Sequence, residues 1–196
     1  MDMPVYITVS HVLEHLYCPR FTYFEYVLAL PERQERRALV LKGRQVHEER
    51  EQINPHYLRK KLGAVERQIH VEMASRTLRL KGIVDEVLTL DDGTMAPFDY
   101  KFAEDPGHVY LNLAVQSALY GLLVQETFGR AVTRGFLCYT RSNHKVQEIP
   151  LGEEEYGEAR RNVEEVFVVI QSGVFPPATR WKGRCGDCCY RNICVQ

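Results

Sequence analysis

Residues 77–102, "TLRLKGIVDEVLTLDDGTMAPFDYKF", have the strand pattern that indicates the centre of the fold. Apolar and polar residues alternate on both sides of "DDG" (91–93), which predicts two antiparallel strands joined by a tight turn. If "DDG" forms a three-residue loop with its glycine in the left-handed region, Asp85 and Asp99 become cross-strand neighbours on one face. Lys101 shares that face because side chains alternate along a strand. A two-residue turn would instead place the two aspartates on opposite faces.

The segments that follow the hairpin alternate between helical and strand patterns. "YLNLAVQSALYGLLVQETFG" is apolar on most faces and closes on Gly129, which predicts a buried helix. "VTRGFLCYT" and "KVQEIPL" predict two more strands, and "EEEYGEARRNVEEVFVVIQSG" predicts an amphipathic helix that ends at Gly173.

The segments that precede the hairpin are mostly helical. Ser10 is a candidate cap for a helix through "HVLEHLYC", and "PRFTYFEYVLAL" keeps helical spacing up to Pro31. The sequence of residues 32–52 predicts a charged helix with one buried apolar face. The segment "IHVEM" predicts a strand. Together with the later segments, this order predicts an α/β or α+β fold, with a mixed sheet flanked by helices.

Composition sets limits on the class of protein. A chain of 196 residues with 45% hydrophobic and 26% charged residues is typical of one globular domain. With a net charge of -1, the protein as a whole does not attract nucleic acid electrostatically. A nucleic-acid partner would have to bind to local basic patches. No long apolar run or signal-like start occurs, which predicts a cytoplasmic protein without a membrane partner.

Cysteines concentrate at the end of the chain, in "GRCGDCCYRNICVQ". Cys185, Cys188 and Cys194 follow a C-x2-C-x5-C spacing, with Cys189 as an extra neighbour. In a reducing cytosol such a group indicates metal or cofactor ligands rather than disulfides. Four thiolates suit zinc or an iron–sulfur cluster, and this spacing alone does not choose between them.

The hairpin residues also suggest metal chemistry. Two carboxylates and an ammonium beside apolar neighbours are costly to bury unless a divalent cation such as magnesium or manganese joins them. For an isolated D-x-K tripeptide, a surface salt bridge is the ordinary alternative. Other polar residues occur in order around this hairpin, namely His47 in "GRQVH" and the pair Gln116 and Tyr120, one helical turn apart in "QSALY".

In this combination of motifs, the chain resembles the CRISPR-associated RecB-like iron–sulfur exonucleases, the fourth Cas family, within the PD-(D/E)xK nucleases. The resemblance runs from "YCPR" (17–20) to the last cysteine. It implies a restriction-endonuclease-like fold and a single nuclease domain over residues 1–196. Residues 36–174 would form the RecB-like core, and residues 1–35 and 175–196 together would form a module that a [4Fe–4S] cluster joins.

The resemblance also assigns roles to individual residues. The implied ligands of Mn²⁺ or Mg²⁺ are His47, Asp85, Asp99 and the backbone carbonyl of Tyr100. Lys101 is the implied catalytic lysine, and it acts with His47, Asp85 and Asp99. Gln116 and Tyr120 are implied to position the substrate or the lysine. The implied cluster ligands are Cys18, Cys185, Cys188 and Cys194, with Cys189 as a competitor of Cys188.

Basic and aromatic residues surround these cysteines, a mixture that suits single-stranded nucleic acid. The alternative is that the aromatic rings pack around the cluster. The residues concerned are Tyr17, Arg20, Tyr23, Arg180, Trp181, Lys182, Arg184, Tyr190 and Arg191.

The implied function is a metal-dependent DNA exonuclease that prefers single strands or single-stranded overhangs, with 5′-to-3′ polarity and some endonuclease activity. Such proteins trim prespacers in CRISPR adaptation together with the CRISPR integrase and its small companion subunit. Two alternatives keep the same motifs. One is a stand-alone DNA repair or recombination nuclease, and the other is a non-catalytic DNA-binding or assembly subunit.

Overall fold

A computed structural model describes residues 5–30 and 59–194. His47 and the predicted charged helix at 32–52 lie outside these residues. The strands are β1 (Ile7–Thr8), β2 (Ala64–Ser75), β3 (Leu80–Leu90), β4 (Met95–Lys101), β5 (Arg134–Tyr139) and β6 (Lys145–Pro150). The helices are α1 (Val9–Tyr17), α2 (Arg20–Thr22, continued by a π-helical turn at Tyr23–Val27), α3 (Leu111–Phe128) and α4 (Glu153–Ser172), with 3-10 turns at Lys60–Leu62 and Lys182–Asp187.

The six strands form one mixed sheet. β3 pairs antiparallel with β2 and β4, β4 pairs parallel with β5, and β5 pairs antiparallel with β6. The short β1 pairs parallel with the start of β3. β4 therefore lies inside the sheet, between β3 and β5, and the predicted mixed sheet flanked by helices is confirmed.

The hairpin between β3 and β4 has the register that a three-residue loop predicts. Thr89 pairs with Met95 and Glu86 pairs with Phe98. Gly93 has φ 82, the left-handed conformation that such a loop requires of its last residue. Extending the register by one residue sets Asp85 opposite Asp99.

Two hydrophobic clusters lie on opposite faces of the sheet. The larger contains Val87 and Met95 together with residues of α1, α3 and α4. The smaller contains Leu88, Phe98 and Phe136. α3 is buried at every position from 115 to 124, which explains why its sequence is apolar on most faces.

The start of α1 differs from the sequence prediction. Thr8, not Ser10, caps the helix, and its Oγ1 accepts a hydrogen bond from the His11 N–H at 3.1 Å. β1 ends at Thr8, so this residue already has the extended backbone of an N-cap. The helical spacing after Pro19 also ends earlier than predicted, at Val27. Among the described helices, none combines the length and apolarity that a membrane span requires.

His15 is a buried histidine on α1, with Nδ1 2.9 Å from Thr22 Oγ1. Burial lowers the pKa of His15 to about 4. The Glu165 carboxylate lies 3.8 Å from Nε2, but its side chain is 68% exposed, so solvent screens its charge. His15 is therefore neutral in the folded protein at neutral pH.

We expect the free energy of unfolding to fall as the pH drops from about 6.5, the ordinary pKa of histidine, toward about 4. The unfolded chain takes up a proton at His15 in this interval, whereas the folded protein does not. Urea unfolding of His15→Gln between pH 7 and pH 5 should show a weaker pH dependence than the wild type. His108→Gln, at an exposed histidine, serves as the control, and an equal pH dependence in all three proteins would contradict this assignment.

Candidate functional site

The Asp85 and Asp99 carboxylates lie on neighbouring strands at the end of the β3–β4 pair. The Tyr100 backbone N–H donates a hydrogen bond to Asp85 Oδ2 at 2.8 Å. This bond ties the Asp85 carboxylate to the strand that carries Asp99, which is itself only 7% exposed. Two carboxylates are thereby held together in a mostly buried position.

The ammonium group of Lys101 lies between β4 and α3. Its Nζ donates to Gln116 Oε1 at 2.7 Å and forms an ion pair with Asp99 Oδ2. Gln116 comes from α3, which packs over this end of the sheet. The lysine is thus held by one partner on its own strand and another on the helix.

Tyr120 follows Gln116 by one helical turn and is 7% exposed. Burial, and then the negative charge of Asp99, raise the pKa of Tyr120. Its hydroxyl therefore stays protonated at neutral pH and can donate a hydrogen bond.

Gly82, the glycine of "GIVD", is a part of this site that the sequence analysis missed. A Cβ atom at this position would lie 2.9 Å from Val9 Cγ2 and 3.0 Å from Tyr120 Cε1. Only a residue without a side chain lets α1 and Tyr120 approach β3 so closely. An isolated glycine inside a strand pattern is the sequence signal that could have indicated this close approach.

The structure brings together most of the residues to which the sequence analysis gave a role in metal binding, catalysis or substrate positioning. They are Asp85, Asp99, Tyr100, Lys101, Gln116 and Tyr120. His47 is outside the described residues. The carboxylates and the Tyr100 carbonyl are hard oxygen donors of the kind that Mg²⁺ and Mn²⁺ prefer.

A second group of residues gathers at the two ends of the chain. Cys18 and three C-terminal cysteines line one pocket, although they lie far apart in sequence. Phe21, Phe24 and Tyr190 contribute to its wall, and Arg20 Nη1 lies 3.1 Å from Cys194 Sγ. The cysteines in this pocket are Cys18, Cys185, Cys188 and Cys194, and its lining does not include Cys189.

The sequence profile of the PD-(D/E)XK nuclease superfamily matches residues 49–195 of this chain. The chain belongs to this superfamily. The predicted enzyme class, a divalent-metal-dependent nuclease, is confirmed by this membership.

Individual proteins also resemble the chain over nearly its whole length. It is 27% identical to the CRISPR-associated exonuclease Cas4 of Francisella tularensis subsp. novicida (strain U112), over 98% of this chain and 95% of that protein. It is 26% identical to the CRISPR-associated exonuclease Cas4/endonuclease Cas1 fusion of Leptospira interrogans serogroup Icterohaemorrhagiae serovar Lai (strain 56601), over 92% of this chain and 32% of the fusion. The fold is similar to the crystal structure of SSO0001, with a TM-score of 0.64 and 19% identity over 99% of this chain and 87% of that one.

The terminal segments of this nuclease are joined by hydrogen bonds of the chain itself. Arg184 Nη1 donates to the carbonyls of Leu16 at 3.1 Å and Tyr17 at 2.8 Å. Tyr17 Oη donates back to the Arg184 carbonyl at 2.8 Å, and Tyr190 Oη donates to the Leu30 carbonyl at 2.8 Å. The cysteine pocket is therefore framed by direct contacts between the two ends.

Several basic and aromatic residues near the cysteines have structural partners. Tyr190 stacks on Phe24 with ring centroids 4.7 Å apart, and Arg20 Nε donates to the Pro176 carbonyl at 3.0 Å. Trp181 is 57% exposed, with Arg180 Cζ 5.2 Å from its ring centroid. The exposed members of the predicted nucleic-acid surface are Arg180, Trp181, Lys182 and Arg191.

His11, Glu14 and Glu25 form another group of possible ligands, with ligand atoms within 4.8 Å of one another. Both ring nitrogens of His11 already have partners in the chain. The Thr8 N–H donates to Nδ1 at 3.1 Å, and Nε2 lies 3.2 Å from Glu25 Oε1. The contacts with Thr8 and Glu25 therefore occupy both nitrogens of His11.

We expect Gly82→Ala to lower the free energy of unfolding by about 1–3 kcal/mol, because the added methyl group overlaps Val9 and Tyr120. Urea unfolding measures this change. Gly157→Ala is the matched control, since its added methyl group would lie 3.6 Å from Arg161 Nη1, an ordinary contact. Because Gly157 lies within α4, this control should gain roughly 1 kcal/mol. Wild-type stability of Gly82→Ala would contradict the close approach of Tyr120 to β3.

Proposed function

We propose that this protein is a DNA exonuclease that uses Mn²⁺ or Mg²⁺, acts on single strands or single-stranded overhangs, and processes prespacers in CRISPR adaptation. The observation that carries the proposal is the convergence of Asp85, Asp99 and Lys101 beneath Gln116 and Tyr120. The near-full-length similarity to a CRISPR-associated exonuclease supports the biological role. We propose 5′-to-3′ polarity, with some endonuclease activity, from the resemblance to that family.

The donor set fits a divalent cation. Asp85 and Asp99 carry two negative charges, and Lys101 supplies one positive charge beside them. A divalent cation held by these carboxylates and the Tyr100 carbonyl would more than offset the remaining negative charge, and the resulting positive charge would attract a phosphate. His47 would complete the ligand set, and an imidazole ligand favours manganese more than an all-oxygen site does.

The reaction adds water across a phosphodiester bond. The hydroxyl group goes to phosphorus, and the leaving oxygen receives a proton. A bound cation supplies polarisation of the phosphate and lowers the pKa of water. Lys101, held by Asp99 and Gln116, presents its ammonium group where negative charge develops on the phosphate or where the attacking water must be oriented. Tyr120 and Gln116 fix the position of the lysine or of the substrate.

We also propose that Cys18, Cys185, Cys188 and Cys194 hold a [4Fe–4S] cluster. All four line the same pocket. The pocket wall combines aromatic rings with cationic side chains of Arg20, Lys182 and Arg184. These cations complement the negative charge of thiolate ligands, and the rings exclude water. Since Cys189 does not line the pocket, Cys188 is the proposed ligand of the neighbouring pair.

We propose a cluster rather than a single zinc ion from the resemblance to the iron–sulfur exonucleases, since four thiolates suit either centre. A cluster would link the terminal segments across the pocket.

The proposed partners are single-stranded DNA and the CRISPR integrase with its small companion subunit. Exposed Arg180, Trp181, Lys182 and Arg191 offer cations for phosphates and a ring for base stacking. A relative in which the exonuclease is fused to the endonuclease Cas1 supports association with an integrase.

Lys101→Ala should reduce DNA cleavage by about 10²- to 10³-fold while the protein stays folded and still binds DNA, because a charge-stabilising group is lost at the reacting phosphate. Digestion of 5′- and 3′-end-labelled single-stranded DNA with Mn²⁺, Mg²⁺ or EDTA measures the rate and the polarity. Asp99→Ala should abolish the metal-dependent cleavage.

Arg130→Ala removes an exposed cation whose Nη1 donates to the Gly93 carbonyl at the tip of the β3–β4 hairpin. This tip is the end of the strand pair away from Asp85 and Asp99, so the variant should cleave like the wild type. Normal cleavage by Lys101→Ala would overturn the assignment of the catalytic lysine. A folded, iron-loaded wild type that binds but does not cut DNA would favour the DNA-binding or assembly role.

Cys18→Ser should lose iron and acid-labile sulfide and melt at a lower temperature, since a cluster that links the two ends restrains the unfolded chain. Metal and sulfide analysis of anaerobically purified protein tests this expectation. Cys189→Ser is the matched control and should keep the wild-type iron content. Zinc without sulfide in the wild type would refute the cluster.

A further inference from the structure

A buried polar network lies on the face of the sheet opposite the proposed active site. Its centre is Glu86, which is 3% exposed and follows Asp85 in β3. Arg59 Nε donates to Glu86 Oε2 at 2.7 Å, and Arg59 Nη2 donates to Glu86 Oε1 at 2.9 Å. Arg67 Nη1 adds a third donor at 3.3 Å. A buried carboxylate with this many charged donors is rigidly held.

Tyr100 is the member of the network that belongs to β4. Its hydroxyl donates to Glu86 Oε1 at 2.7 Å and also contacts Arg59 Nη2. The guanidinium of Arg59 lies over the Phe98 ring, with Cζ 3.7 Å from the ring centroid. Tyr100 packs against the smaller hydrophobic cluster, which includes Phe98. The side chain of Tyr100 is thus fixed by hydrogen bonds and by packing.

The backbone N–H of Tyr100 contacts the proposed active site, whereas its hydroxyl lies on the opposite face of the sheet. Its N–H holds the Asp85 carboxylate at 2.8 Å. Its neighbours in sequence are Asp99 and Lys101, whose side chains point toward α3 because side chains alternate along β4. A small rotation of the Tyr100 peptide would therefore displace groups of both strands at once.

We infer that the network of Glu86, Arg59 and the Tyr100 hydroxyl positions the metal-binding groups of the proposed active site. The network acts from the opposite face of the sheet. The network links β3 at Glu86 to β4 at Tyr100, one residue away from each proposed carboxylate ligand. This inference rests on the proposed function, since it concerns the same cation site. The three side chains are positioning residues, and they act through the backbone of Tyr100 and through Asp85.

Tyr100→Phe removes the hydroxyl and keeps the ring on Arg59 and Phe98. Loss of such an outer partner typically weakens metal binding by about tenfold or more. Mn²⁺ binding to the DNA-free, iron-loaded protein, followed by electron paramagnetic resonance of free Mn²⁺, should give a dissociation constant raised by about that factor. DNA cleavage by this variant should recover when the Mn²⁺ concentration is raised.

Tyr156→Phe is the matched control. The Tyr156 hydroxyl is also buried, and it donates to the Val132 carbonyl at 2.6 Å, within the larger hydrophobic cluster. Tyr156→Phe loses this one hydrogen bond, and Tyr100→Phe loses the contacts of its hydroxyl with Glu86 and Arg59, so both should melt at lower temperatures. Of these two variants, only Tyr100→Phe should bind Mn²⁺ more weakly. Glu86→Gln, which keeps the shape of the side chain, should weaken Mn²⁺ binding in the same direction.

The outcomes separate this inference from the proposed function. Wild-type Mn²⁺ affinity in Tyr100→Phe, whatever its loss of melting temperature, would overturn the inference and leave the nuclease proposal intact. A folded wild type that neither binds Mn²⁺ nor cleaves DNA would overturn both. Weaker Mn²⁺ binding in Tyr100→Phe and Glu86→Gln, but not in Tyr156→Phe, would support the positioning role.

Discussion

The register of β3 against β4 is the constraint on which the proposed active site depends. It sets Asp85 opposite Asp99 and allows the Tyr100 N–H to hold the Asp85 carboxylate. A slip of one residue would move one aspartate to the opposite face of the sheet. The three-residue loop closed by Gly93 fixes this register at the tip of the hairpin. The chemistry of the site thus depends on the geometry of a turn several residues away.

The two faces of the sheet carry different groups of residues at the end of the β3–β4 pair. Toward α3, the side chains of Lys101 and Asp99 are 20% and 10% exposed, and the proposed site for a cation and a phosphate lies on this face. On the opposite face, the Glu86 network and the Phe98 ring hold the backbone in place. A central strand pair can support both because successive residues point to opposite sides.

The cysteine pocket shows a second way of bringing distant residues together. Hydrogen bonds of Arg184 and Tyr190 join the end of the chain to residues near its start. Four thiols from both ends then line one pocket. A cluster in this pocket would add a covalent link to contacts that the protein already makes.

Much of the fold could be predicted because its elements have strong local patterns. The hairpin, α3, β5, β6 and α4 all follow from periodicity and glycine positions, and the structure confirms them. The cap of α1 was misassigned to Ser10 because the two-residue β1 has too little sequence pattern to be recognised. Thr8 takes the cap position only because β1 pairs with β3.

The sequence by itself determined which residues are available for chemistry: the aspartates and lysine of the hairpin, Gln116 and Tyr120 at helical spacing, and the cysteines at both ends. Only the tertiary structure decided which of them meet, because α3 must pack on the sheet before Gln116 can reach Lys101. The same holds for Glu86, Arg59 and Tyr100, a network that joins three separate segments. Local patterns describe single elements, whereas contacts across the sheet depend on how all elements pack together.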